Sequence, residues 1–282
     1  MNRRSFLSGI LSSSVVLAAK KVDFDRPLGV QLYTVRNTLP HDPEGVIKAI
    51  AKIGYKEAEV SQADLEKVLP VLKANGMTAP SGHFDMAVIT GDRRDAAIEE
   101  AKKYGLGYMV MSYIPEQARG NADAYRAIAE KMNKTGEACA KAGIQFCYHN
   151  HCFEFGVREG ERPWDVLMEQ WDPKLVKLEV DVFWVAVSGQ MPSEFLRKYD
   201  NRVPLVHLKD EAFGTPVQFN ERVPPYAFRE VGTGTLDFSA ILRACEAVGV
   251  QHYIVEQDQT KGDPIDSLRI SYNDIRKMSL KT

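Results

Sequence analysis

Between residues 148 and 155 the chain reads YHNHCFEF, which sets His149, Asn150, His151 and Glu154 within six positions. Imidazoles take and give protons near neutral pH, and imidazoles grouped with carboxylates bind divalent cations. Glu179 and Asp181 lie two residues apart, as do His207 and Lys209, and His149 and His151. Residues two apart in a strand share a face, so each pair would present its side chains together. Glu59 and His83 also close short apolar runs. One histidine with two or three carboxylates makes a hard, mixed nitrogen–oxygen site. Such a set suits Mn²⁺, Mg²⁺, Co²⁺ or Zn²⁺, with positions left for water and substrate.

Each residue also has a structural reading. His207 could be a buried, hydrogen-bonded strand histidine, and Asp181 or Glu256 could cap a following helix. Glu59 and Glu179 could be neutralised structural partners, and Lys209 with Asp210 a surface ion pair. Taken together, so many ionisable groups at the ends of apolar strands need partners or a metal, which favours one convergent site.

The elements that must position them can be read from period and punctuation. Strands are expected at 28–33, 57–60, 77–83, 108–112, 144–149, 176–181, 203–209 and 253–257. Helices are expected at 42–53, 63–75, 92–104, 121–142, 163–170, 192–199, 238–247 and 264–278. Asp42–Pro43 opens the first helix, and Gly54, Gly76, Gly105, Gly143 and Gly249 stand just past helix ends. Eight short apolar strands, each followed by a helix, predict an α/β fold of the (β/α)8 TIM barrel type; an open doubly wound sheet is the alternative. In a barrel the functional residues stand at the C-terminal strand ends. Four of the six histidines (His83, His149, His151, His207) fall at such ends, while His41 and His252 do not. The Gly-x-Gly at 232–234 follows a long loop rather than a strand, so it gives weak support for a dinucleotide site.

The chain has 282 residues and a formal net charge of −2, with no basic excess to draw a nucleic acid. Residues 1–19 have the layout of an export signal: Arg3–Arg4, then Ser5, Phe6 and Leu7, then a short apolar stretch. The pattern resembles a twin-arginine signal, cleaved near Ala18–Ala19, which predicts a periplasmic protein. That leaves 20–282 as a single barrel domain with no stable membrane insertion. Without Arg3 and Arg4 the net charge is −4. The four cysteines form no C-x-x-C pair and read as buried free thiols.

At these residues the chain resembles the xylose isomerase-like TIM barrel superfamily, often labelled sugar phosphate isomerase/epimerase. LGVQLYTVR (28–36) resembles its opening strand, LEVDVFW (178–184) its sixth strand and LVHLKD (205–210) its seventh. GTGTLDF (232–238) resembles the run before its eighth helix, and YIVEQD (253–258) its eighth strand. The resemblance implies one divalent metal ion on Asp181, His207 and Glu256. The family's fourth ligand is a glutamate at the end of strand 5, where this chain has His149; either His149 or Glu154 would complete the shell, and Glu154 is preferred. Trp184 stands where many epimerases carry a second histidine.

The implied activity starts with proton abstraction α to a carbonyl of a small carbohydrate. His149, His151 and Glu256 would move protons, and Lys209 would steady the enolate oxygen. Glu59, His83 and Asn150 would contact substrate hydroxyls. The leading expectation is a sugar isomerase or epimerase, and the alternative is a lyase or dehydratase acting on an inosose or 3-keto-glycoside. A histidine pair in place of one of two facing glutamates suits the second. Export argues for a substrate without phosphate. A non-catalytic sugar-binding barrel ranks below both. A nuclease like endonuclease IV is disfavoured by the small number of histidines and the acidic charge. A homo-oligomer is left open.

Overall fold

The computed structural model describes residues 21–281, so the expected export signal lies outside the described residues. Eight parallel strands close into a barrel. They are β1 (Leu28–Gln31), β2 (Glu57–Ser61), β3 (Ser81–Phe84), β4 (Tyr108–Met111), β5 (Gln145–His149), β6 (Val176–Asp181), β7 (Leu205–Leu208) and β8 (His252–Val255). Closure runs through Tyr253 opposite Leu28, beside the β7 pairing of Ile254 with His207. Each strand is buried by helices outside and side chains inside, which is why the strands read as continuous apolar runs.

The outer ring comprises α1 (Pro43–Ile53), α2 (Leu65–Ala74), α3 (Arg94–Lys103), α4 (Ala122–Lys141), α5 (Pro163–Gln170), α6 (Pro192–Lys198), α7 (Phe238–Val248) and α8 (Pro264–Lys277). The punctuation works as expected. Asp42, Asn121, Asp237 and Asp263 accept backbone N–H bonds at the starts of α1, α4, α7 and α8. Gly249 ends α7 in the left-handed region at φ 77°. Lys21–Asp23 pairs antiparallel with Ser279–Lys281. Among the described residues no helix is long and apolar enough to cross a membrane.

Three local readings differ from the sequence expectation. β1 stops at Gln31, and a 3-10 turn over Leu32–Val35 follows it. The turn leaves Tyr33 exposed at the barrel mouth. The third strand begins only at Ser81; Thr78 contributes a single bridge to Glu57. After β6, Val182–Val187 is a buried short helix although its residues have strand propensity. Asp181 Oδ1 accepts from the Phe183 and Trp184 N–H groups at 2.9 and 3.1 Å and starts that helix; packing overrides propensity.

Inside the barrel, Val110, Cys147, Leu205 and Ile254 form an apolar plug. Two residues further along the same strands stand His149, His207 and Glu256, facing the same way. The plug floors the mouth.

Candidate active site

Side chains from seven of the eight strands or their ends meet in one cluster. His207 Nδ1 lies 2.9 Å from Glu256 Oε2, and its Nε2 lies 2.7 Å from Glu59 Oε2 and 3.3 Å from Glu179 Oε2. His83 Nε2 bridges the same two glutamates, at 2.9 Å from Glu59 and 2.8 Å from Glu179. His149 Nδ1 sits 2.9 Å from Glu179 Oε2, while its Nε2 faces Asp181 Oδ2 at 3.7 Å. Gln31 Nε2 donates to Glu59 at 2.8 Å.

Lys209 is fully enclosed. Its ammonium lies 3.0 Å from Asp181 Oδ2, 2.9 Å from Glu256 Oε2 and 2.9 Å from Asp258 Oδ2. Such a buried ammonium is stable only with this carboxylate company. Burial alone would lower its pKa, but Asp181, Asp258 and Glu256 outweigh that and raise it well above the usual lysine value. The surface ion pair considered for Lys209 and Asp210 is therefore absent. Asp210 turns away and accepts from Gly232 N and Gly234 N at 2.9 Å and from Leu236 N at 3.2 Å. The Gly-x-Gly loop thus cradles an internal carboxylate.

The charges follow from the contacts. Burial pushes Glu59 up, but the His83 and His207 rings hold it well below the ordinary carboxylate range. Burial and Glu59 raise Glu179, and the histidines override them to bring it to about 2. Burial lowers His83, but Glu59 and Glu179 lift it to about 10. His207 is likewise held well above its usual value by Glu179 and Glu59 against its own desolvation. His149 and His151 go the other way: burial drives both well below the usual histidine value. Both shifts favour the neutral imidazole.

Asp181, His207 and Glu256 offer donor atoms within 4.8 Å of one another, and so does a second set of His83, His149, Glu179 and His207. These sets fit a divalent cation. A neutral His149 whose Nδ1–H is engaged by Glu179 presents a free Nε2 lone pair beside Asp181. Imidazole ligands oriented by an outer carboxylate are the usual arrangement around a metal. Glu59 Oε1 and Glu179 Oε1 are buried without hydrogen-bond partners among the described residues, so the cluster holds more negative capacity than its protons satisfy.

Three of the expected site residues stand apart from the ligand sets or the cavity in this structure. Glu154 lies outside both ligand sets. Its carboxylate accepts from the Tyr148 hydroxyl and from His151 N at 3.1 Å. Tyr148 alternates with His149 and packs against Trp171 outside the strand, and the 3-10 turn Phe153–Phe155 folds Glu154 back to that side. Glu59 is fully buried behind the imidazoles and does not face the cavity. Asn150 is spent on the main chain: its Oδ1 accepts from Asp181 N at 3.0 Å and its Nδ2 donates to Asp181 O at 3.3 Å. It ties the end of β5 to the end of β6.

His83, His149, His151, Lys209 and Glu256 do line a cavity of about 880 Å³ at the C-terminal mouth of the barrel. His151 packs between Tyr113 and Trp184, with ring centroids at 5.1 and 5.3 Å. Its Nδ1 is buried without a partner among the described residues. Sequence reasoning put Glu179 on the same face as Asp181 and Asp258 at the end of the last strand but assigned neither a role. Their spacing from Asp181 and Glu256 was the available signal. Glu221 was not flagged at all; it reaches the cavity from the long loop after β7 and pairs with Arg119, whose guanidinium stacks 3.4 Å over Phe153.

The closed parallel barrel with a polar cluster at its C-terminal mouth defines a TIM barrel of the enzyme-bearing kind. Residues 47–272 match the family model described as xylose isomerase-like TIM barrel, and the chain belongs to that family. An inosose dehydratase of Clostridium perfringens is 31% identical over 79% of this chain and 85% of its own. A solved sugar phosphate isomerase/epimerase from Parabacteroides distasonis superposes with a TM-score of 0.76 at 20% identity, covering 94% of this chain and 98% of its own. The IOLI protein, solved with a binding zinc atom, gives a TM-score of 0.67 at 14% identity, over 88% of this chain and 96% of its own.

Proposed function

We propose that this protein is a divalent-metal-dependent carbohydrate enzyme that works as a lyase. It would remove a proton α to the carbonyl of a keto-sugar or inosose and expel the oxygen substituent at the β carbon. The observation that carries this reading is the asymmetry of the cavity wall. Neutral His149 and His151 stand at the end of β5, whereas Glu256 and Lys209 stand across the mouth. An epimerase that removes and returns a proton on opposite faces is served by two matched carboxylates. An eliminating enzyme needs one group that takes the proton and then gives it to the leaving oxygen, and an unprotonated imidazole has the lone pair to do so. The inosose dehydratase relative supports the same choice.

Asp181, His207, Glu256 and His149 would hold the ion. When bound, it supplies positive charge that draws electrons from an adjacent carbonyl oxygen and acidifies the neighbouring C–H. His151, whose ring lines the cavity clamped by Tyr113 and Trp184, would accept the α proton. Lys209 would steady the enolate oxygen. As the α,β double bond forms, the β C–O bond breaks, and the proton on His151 passes to the leaving oxygen. The sum is ketone to unsaturated ketone plus water or alcohol, with no redox partner.

The isomerase or epimerase reading shares the first step and ends with return of the proton to carbon. Metal-loaded protein incubated in D₂O with inosose and keto-glycosides separates the two. An unsaturated ketone with released water or alcohol supports the lyase; deuterium at the α carbon without cleavage supports the isomerase. No turnover, with Asp181→Ala binding metal as wild type, overturns both. The export reading of Arg3–Arg4 is also carried as a proposal and favours a substrate without phosphate. Fractionation of cells expressing the full chain, with Arg3→Lys and Arg4→Lys together retaining it in the cytoplasm, checks it.

A further inference from the structure

The mouth of the barrel is larger than one sugar ring requires. A six-carbon ring displaces about six waters, or roughly 180 Å³ at ~30 Å³ each. The cavity offers about 880 Å³. Its surplus runs to one side. Gln62, Val88, Arg93 and Glu100 line both this cavity and a second one of about 360 Å³ against the outer face of α3. The loops after β2 and β3 therefore open a continuous arm away from Lys209 and His151.

The chemistry of the arm is specific. Val88 and Ala97 give an apolar floor. Gln62 Nε2 donates to Glu100 Oε2 at 2.7 Å, which sets an amide and a carboxylate side by side. Arg93 stands opposite, with no ion-pair partner among the described residues. Planar amide, carboxylate and guanidinium groups over a small apolar floor match vicinal hydroxyls on a ring with C–H faces. Arg93 and Lys103 against Glu100 leave the arm one positive charge in excess, with the Gln62–Glu100 pair supplying both donor and acceptor to hydroxyls. No aromatic side chain lines it, so it offers no platform for a flat aglycone.

We propose that the arm is a second subsite for a sugar ring, so that the substrate is a two-ring keto-glycoside rather than a single ring. This rests on the carbohydrate reading above. The keto ring sits at Lys209 and His151, and the glycosidic oxygen is the β substituent expelled. The second ring leaves as an alcohol, taking the proton removed from the α carbon. Atoms balance without water or an oxidant.

The test compares 3-keto-cellobiose with methyl 3-keto-glucoside, phenyl 3-keto-glucoside and inosose on metal-loaded protein. The disaccharide should exceed the methyl compound in kcat/KM by about tenfold or more, and Arg93→Ala or Gln62→Ala should bring that ratio close to one. Equal values in the wild type, or a preference for the phenyl compound, overturn the proposal. Calorimetry with cellobiose and methyl glucoside, neither of which reacts, judges the subsite separately from the chemistry. Tighter cellobiose binding that Arg93→Ala abolishes supports the arm even where no substrate turns over, an outcome that would sink the lyase reading alone. Equal binding of the two glycosides refutes the arm whatever the chemistry.

Discussion

Lys209 Nζ lies 3.0 Å from Asp181 Oδ2, one of the oxygens that a divalent cation would take. The ammonium therefore serves as an internal counter-ion for Asp181, Glu256 and Asp258. Lys209→Met would leave three enclosed carboxylates facing one another. Removing one partner of a buried charge cluster costs about 3–5 kcal/mol. The melting temperature of the variant should fall markedly in EDTA and recover when Mn²⁺ or Zn²⁺ is added. A variant that melts like wild type in EDTA would show that another group balances these acids.

Both nitrogens of His207 face carboxylates, Nδ1 toward Glu256 and Nε2 toward Glu59. The ring is held charged in this arrangement. A metal ligand must be neutral, so binding must expel the Nδ1 proton. Calorimetry of Zn²⁺ or Mn²⁺ binding in buffers of different ionisation enthalpy should reveal release of about one proton or more, with affinity rising as pH rises. Binding heats that do not depend on the buffer would refute this.

His149 and Glu154 divide the role expected at the end of β5. His149→Ala should lower metal affinity by about tenfold or more, because it removes the free imidazole lone pair beside Asp181. Glu154→Gln should leave metal content unchanged, because that carboxylate is engaged by Tyr148 and His151 N. Elemental analysis of both purified variants decides between them.

Glu154 also gives a pH signature. Burial raises its pKa from 4.5 to about 7. The folded state therefore binds a proton that the unfolded chain has released, and stability from this group is full below pH 4.5. It is lost as pH rises through about 7, and the loss is on the order of a few kcal/mol. Urea titrations of wild type and Glu154→Gln across this window should show a shallower decline in the variant. Parallel slopes would place the titration elsewhere.

The Asp210 cradle predicts a structural lesion remote from chemistry. A Cβ at Gly234 would sit 2.4 Å from both Asp210 Oδ1 and Glu211 O. Gly234→Ala should cost about 2 kcal/mol or more, since neither a hydrogen-bonded carboxylate nor a backbone carbonyl can move aside cheaply. Asp210→Ala strips partners from four backbone N–H groups, those of Glu211, Gly232, Gly234 and Leu236, at ~1–3 kcal/mol for each that stays buried. Chemical denaturation measures both.

Much of the fold was legible because its signals are local. The helix starts at Asp42, Asn121, Asp237 and Asp263 are written in side chains that accept nearby N–H groups. The short Val- and Ile-rich runs between them fit strands covered on both faces. The short helix Val182–Val187 was not legible, because its residues favour a strand and only its enclosure, with Asp181 at its head, makes it helical. The site was half legible. Asp181, His207 and Glu256 could be placed at strand ends from spacing alone. Glu179 had the right face by alternation, but only its contacts with three imidazoles show that it joins them.

By itself the sequence determined the rhythm of eight β/α units and the side of the barrel to which the polar residues belong. Both depend on period and on capping chemistry within a few residues. Only the tertiary structure decided which polar atoms face the mouth. Alternation governs a strand but ends with it: once the chain leaves β5 at His149, the turn swings Glu154 behind Tyr148 and leaves His149 in front. Asn150, likewise past the end of its strand, is spent on a backbone tie, while Glu59, inward on β2, is spent supporting His83 and His207. Facing depends on how eight separate strand ends converge, and no window of the sequence contains that.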